Sequence, residues 1–100
     1  MNIWENEETR LLLEALLCLE TPEEGRLFLE DMCTVKEITD MAQRLHLAKL
    51  LRGKASYMQI NHQTGVSTAT ISRVSRCLDY GTGGYGLVLD RLEKGAASDG

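Results

Sequence analysis

The chain has 100 residues, 43% of them hydrophobic, and carries 11 Lys and Arg against 15 Asp and Glu for a net charge of -4. That length predicts one small domain with little core per residue, which makes burial against a second copy attractive, and the longest apolar run is far short of the roughly 20 residues of a membrane span. Cys18, Cys33 and Cys77 are widely spaced with no C-x-x-C pair, a pattern that argues against a disulfide framework or a zinc knuckle and suits reduced small hydrophobes in a cytoplasmic protein.

Met1 leads directly into Glu5, Glu7 and Glu8, so no secretory leader is expected. With one proline and apolar residues recurring at three- and four-residue intervals, nearly the whole chain reads as helix. From about Glu5 to Leu19, "ENEETRLLLEALLCL" opens with acids suited to a helix N-terminus and continues as a dense leucine face. "TPEE" places a capping Thr21 before Pro22, which predicts a second helix to about Met32. "TVKE", with Thr34 and Glu37 as a capping box, predicts a third and longer helix ending near Arg52, with Gly53 as its left-handed cap. On it Ile38, Met41, Ala42 and Leu45 lie on one side and Leu47, Leu50 and Leu51 roughly opposite. Two apolar sides need two packing partners, and the second lies either in the same chain or on another subunit.

Ser56 is suited to cap a short helix from Tyr57 to about Gln63, and Gly65 supplies the positive φ of a tight turn. Ser67 or Thr68 then caps a helix to about Leu78. "DYGTGGYG" reads as a flexible connection, residues 86–94 as a final helix and residues 95–100 as a disordered tail. The glycines of "GTGGYG" follow no strand and precede no P-loop lysine, so they do not indicate a nucleotide cradle. The expected organisation is a single helical domain over residues 1–94: dimerisation helices in 1–53, a helix-turn-helix in 54–78 and the C-terminal helix.

The net acidity conceals a partition. Residues 1–40 hold 11 acids and 3 bases, residues 41–78 hold 6 bases and no acid, and residues 79–100 hold 4 acids and 2 bases. Affinity for nucleic acid depends on a local cluster of Lys and Arg that displaces phosphate counterions, not on the average charge. Arg44, Lys49, Arg52, Lys54, Arg73 and Arg76 supply such a cluster. Charge alone is equally consistent with a solvated basic face on an ordinary helical protein.

The spacing in "SYMQINHQTGVSTATISRVSRCL" is more specific. Ile60, Val66, Ile71 and Val74 occupy the positions where two helices crossing through a tight turn bury their contact residues. On the second helix Ile71, Val74 and Leu78 form one stripe, while Thr68, Ser72 and Arg76, flanked by Ala69 and Arg73, form another. A small, hydroxylated, basic stripe lets a helix approach the floor of a major groove and present side chains to base edges. A polar surface helix in a bundle is the plain alternative. Asn61 and Thr64 fit such an elbow least well, since a smaller and a more apolar residue are usual there.

"LLRGKAS", the glycine turn and "TATISR" together resemble the Trp repressor (TrpR) family, and within it the YerC/YecD-like branch. The resemblance to the repressor covers about Thr34 to Leu78, and that to the branch nearly the whole chain, including "DYGTGGYGLVLDRL". It implies an all-α, intertwined homodimer that binds a palindromic operator, each subunit placing one helix in successive major grooves of double-stranded DNA. Ala69, Thr70 and Ser72 match positions at the groove, with Thr68 at the start of the helix. Met58 and Asn61 replace basic residues, for which Arg52 and Lys54 are expected to compensate through backbone contacts. The candidate DNA-contacting set is therefore Lys54, Ser56, Tyr57, Ser67, Thr68, Ala69, Thr70, Ser72, Arg73 and Arg76.

Thr34, Arg44 and Arg73 match the family's effector-binding threonine and arginines, although phosphate contact or ion pairing serves Arg44 and Arg73 equally well. Val74 stands where the repressor has a glycine against the tryptophan ring, and Cys77 where it has a serine. Overpacking of that kind typically costs about 1 to 3 kcal/mol, so tryptophan is not the expected effector and the identity of any corepressor stays open. The expected function is a cytoplasmic transcriptional regulator, most readily a repressor, with no cofactor, metal or membrane partner. The alternative is a helical dimeric protein-interaction module without DNA binding. His46 and His62 lack a partnered nucleophile or metal-ligand spacing, so an enzyme is not expected.

Overall fold

The computed structural model describes residues 2–99, with side chains for residues 2–95. The protein is all-α: among the described residues there is no strand, and no helix is long and apolar enough to cross a membrane. The six α-helices are α1 (Glu7–Leu17), α2 (Pro22–Met32), α3 (Val35–Arg52), α4 (Tyr57–Thr64), α5 (Thr68–Tyr80) and α6 (Gly84–Asp99). The chain divides into two compact units, Met1–Ile38 and Thr39–Gly100, with the boundary inside α3.

In the first unit the starts of the helices follow their capping residues. The Asn6 side chain accepts from the Glu8 amide at 2.7 Å and opens α1, two residues later than the acids alone suggested. Thr21 accepts from the Glu24 amide at 3.1 Å, with Pro22 at the first helical position. At the head of α3 the predicted capping box is formed in both directions: Glu37 N–H donates to Thr34 Oγ1 at 3.1 Å, and Thr34 N–H donates to Glu37 Oε1 at 2.8 Å. The bond from the Thr34 backbone N–H, and after it one from the Thr34 side chain, favour the ionised Glu37 carboxylate and hold it below its ordinary value of 4.5. No residue of α1 or α2 is buried. Leu11, Leu12, Ala15, Phe28 and Met32 line an open apolar groove of about 440 Å³ within this unit.

The second unit carries the core. Leu47 and Ala48 of α3, Ile60 of α4, Val66 in the turn after it, Ile71 and Val74 of α5, and Leu89 of α6 are buried together, with Leu50, Leu51, Ala55, Leu78 and Tyr85 packed around them. Leu47, Ile60 and Ile71 are the largest fully enclosed side chains, and each contributes roughly 1.5 to 3 kcal/mol by burial. Only one of the two apolar sides of α3 is covered: Met41, Ala42 and Leu45 are exposed.

The end of α3 corrects one expectation. The left-handed residue is Lys54, with φ 70, and not Gly53. The reason is hydrogen-bond register. Ala55 N–H donates to Leu50 O at 3.2 Å and Lys54 N–H donates to Leu51 O at 3.0 Å, the pair of bonds that defines a Schellman ending and fixes the left-handed position at residue 54. A residue with a Cβ costs roughly 1 to 2 kcal/mol in that conformation relative to glycine.

The glycine-rich connection is shorter than its composition suggests. Asp79 and Tyr80 still belong to α5, and Gly84 already belongs to α6. Gly81 N–H donates to Cys77 O at 2.9 Å, and a Cβ at Gly81 would clash with that same carbonyl oxygen. The backbone of α6 runs to Asp99, past the expected end near residue 94. The remainder of the disordered tail expected over residues 95–100, its side chains beyond 95 and Gly100, lies outside the described residues.

Candidate nucleic-acid interface

The turn between α4 and α5 is built by polar side chains around one glycine. Ser56 and Gln59 form a reciprocal capping box at the head of α4, with bonds of 3.1 and 2.8 Å. Gly65 closes the helix at φ 75, its N–H donating to Asn61 O at 2.8 Å. Asn61 Nδ2 reaches across to donate to Val66 O at 2.7 Å. Thr64 Oγ1 donates to Ile60 O at 2.7 Å and accepts from Val66 N–H at 3.2 Å. The two residues that fitted the elbow least well thus tie it together, saturating part-buried backbone groups that an apolar side chain would leave unpaired.

Ser67 opens α5, its hydroxyl accepting from the Thr70 amide at 3.3 Å and donating to Thr70 Oγ1 at 3.1 Å. From there the two predicted stripes separate. Ile71 and Val74 are 0% and 3% exposed and Leu78 packs beside them. Thr68, Ala69, Arg73 and Arg76 are exposed, with Thr70 and Ser72 half-buried between them. Ala69, Thr70, Ser72, Arg73 and Arg76 line a shallow concavity of about 280 Å³ on the outward side. Among the predicted contact residues, Ser56 and Ser67 spend their hydroxyls as helix caps, whereas Tyr57 stands part-exposed at the first position of α4.

The arginines divide into two groups. Arg26 is held by Glu23 at 2.6 Å and Glu30 at 3.4 Å, and Arg52 forms an ion pair with Asp90 and donates to Gly86 O at 3.0 Å. The hydrogen bond to Asp90 is the main cause of the upward shift of the Arg52 guanidinium. Arg52 therefore fastens the end of α3 to α6, a structural role that the expected backbone contact did not include. Nothing in the sequence marked this pair, whose partners are 38 residues apart. By contrast the side chains of Arg44, Lys49, Lys54, Arg73 and Arg76 are exposed and form no hydrogen bond or ion pair among the described residues.

The three effector candidates are divided between the units. Thr34 belongs to the first, with its hydroxyl engaged at the cap of α3, while Arg44 and Arg73 belong to the second. Val74 is enclosed in the core of the second unit. Cys77 is exposed and lines an open, largely apolar groove of about 600 Å³ with Leu45, Thr82, Tyr85 and Val88; sequence reasoning placed Cys77 but not the groove, which depends on where α6 begins.

Comparison with known proteins bears on this arrangement. The family model described as Trp repressor protein matches residues 7–93. The uncharacterized protein YerC of Bacillus subtilis is 47% identical over 83 residues, which cover 83% of this chain and 80% of the relative. A solved structure of a TrpR-like protein from Eubacterium eligens is 43% identical, superposes with a TM-score of 0.86 and is matched over 93% of this chain and 96% of its own.

Proposed function

The chain belongs to the Trp repressor family, and we propose that it is a sequence-specific DNA-binding regulator, acting in the cytoplasm as a repressor by occupying a palindromic operator as a homodimer. The observation that carries this reading is the outward face of α5. It is small and hydroxylated, carries no acid before Asp79 near its C-terminal end, and bears two exposed arginines without protein partners, on a helix held by the buried Ile71 and Val74. Such a face suits the floor of a major groove, where short side chains allow close approach and guanidinium groups at the rim meet phosphates. In this reading α4 and α5 form a helix-turn-helix, Thr68, Ala69, Thr70 and Ser72 address base edges, and Arg73 and Arg76 address the backbone. Ser56, Tyr57 and Ser67 stand at the two helix starts, whose amides favour anions.

Two copies are needed for a palindrome, because each chain has one α5 and successive major grooves are about 34 Å apart. The first unit supports pairing: a segment with no buried residue and an open apolar groove needs cover. No chemistry is required of a protein that acts by occupancy. Thr34, Arg44 and Arg73 remain the candidates for an effector site, and tryptophan is not the effector in this reading because Val74, a buried residue, stands at the position where the resemblance to the repressor implies a glycine against the ring.

The test is selection of bound fragments from random duplexes by the purified protein. The expected result is an enriched two-fold symmetric site whose half-sites are one helical turn apart. Failure to retain any duplex at low salt would reject the reading in favour of a dimeric protein-interaction module, and an enriched site without symmetry would reject the homodimer.

A further inference from the structure

Lys54 holds the left-handed position that ends α3, while a glycine stands one residue earlier at Gly53, where no positive φ is needed. A Cβ at Gly53 would lie 3.5 Å from Leu50 O and 3.7 Å from Lys49 O, ordinary contact distances. Glycine and side chain therefore stand in the order opposite to the one the backbone prefers. A residue held in a costly conformation calls for a reason outside local geometry.

The fold supplies none for the Lys54 ammonium. The side chain is exposed and has no hydrogen bond or ion pair among the described residues. It lines a cleft with Ser75, Leu78 and Asp79 of α5, yet Asp79 does not pair with it. At 100° per residue, Ser75 falls on the flank of α5 between the inward stripe of Ile71, Val74 and Leu78 and the outward stripe of Thr68, Ser72 and Arg76, while Asp79 lies in line with the outward stripe one turn beyond Arg76. Lys54 thus stands at the edge of the outward face, on a different element from Arg73 and Arg76 and with the same freedom from protein partners.

We propose that Lys54 is a phosphate clamp beside α5, kept in a strained backbone position because its charge is needed at that edge. The ligand is a phosphate of the duplex flanking the groove that α5 occupies, so the inference rests on the DNA-binding reading given above. It separates the two roles of residue 54, backbone ending and charge, and they respond differently to substitution. Lys54→Gly removes both strain and charge. Lys54→Gln removes the charge and leaves a Cβ in the left-handed position.

The test pairs thermal unfolding with binding of the full chain to its selected duplex across a salt series. Lys54→Gly is expected to raise Tm by roughly 4 °C, the order set by relief of left-handed strain in a domain of this size, and Lys54→Gln to leave Tm unchanged. Both are expected to lower the slope of log K against log salt by about 1 per bound copy. Slopes equal to that of the wild type in both variants, or a Tm that does not rise in Lys54→Gly, would overturn the clamp while wild-type binding leaves the DNA reading intact. Absence of salt-dependent binding by the wild type would remove that reading first, and the clamp with it.

Discussion

Thr64 joins three parts of the turn through one hydroxyl, bonding to the Ile60 carbonyl and the Val66 amide. Replacing it by valine conserves volume and removes both bonds, leaving a part-buried N–H without a partner. Thr64→Val is therefore expected to lower stability by about 1 to 2 kcal/mol, read as a shift in the urea midpoint at constant m; an unchanged midpoint would show that water replaces the hydroxyl without loss. Residue-scale detail was only partly legible in the sequence. Ile60, Val66, Ile71 and Val74 could be named as core because spacing on two helices constrains them jointly, and all four are buried. The pairing of Arg52 with Asp90 could not be read, because it depends on where α6 comes to lie against the end of α3. The left-handed Lys54 was missed for a different reason: glycine at 53 pointed to the wrong register, and the register is set by the carbonyls of Leu50 and Leu51.

At the scale of elements, helix starts were more legible than helix ends. A start is written locally in Asn, Ser or Thr followed by Glu or Gln, as in the boxes Thr34–Glu37 and Ser56–Gln59. An end depends on what the chain packs against next, so α5 and α6 approach one another more closely than the glycines between them implied. The Thr34–Glu37 box makes a pH prediction. Because its hydrogen bonds depress the Glu37 pKa in the folded state, the stabilisation is present above the ordinary glutamate value of 4.5 and is lost as pH falls below it through the folded value. The Thr34 amide proton, followed by NMR, is expected to shift with a midpoint below 4.5, and Glu37→Gln, which can form the same bonds, is expected to abolish that titration. A midpoint at or above the ordinary value would contradict the bond as described.

For the molecule as a whole, the question is which charge a partner meets. The net charge of -4 describes a chain whose acids lie mainly in the first 40 residues, whereas residues 41–78 contain none. The field near α5 is set by the closest unpaired cations, since charges beyond about 8 Å are largely screened at physiological salt. The all-α class, the turn and the acid-free stretch over residues 41–78 were legible because each follows from local pattern. The partners of the first unit's exposed apolar surface were not, because a single chain does not state what covers it.

The claim on which the account depends is that the outward face of α5 meets DNA phosphates through Arg73 and Arg76. It is tested most directly by titrating random duplex DNA with the wild type and with the Arg73→Ala, Arg76→Ala double variant from low to moderate salt. The account predicts salt-dependent binding by the wild type and, in the variant, weaker binding to every sequence with the slope of log K against log salt reduced by roughly 1 for each arginine removed from each bound copy. An unchanged slope would take both arginines out of the interface and contradict it.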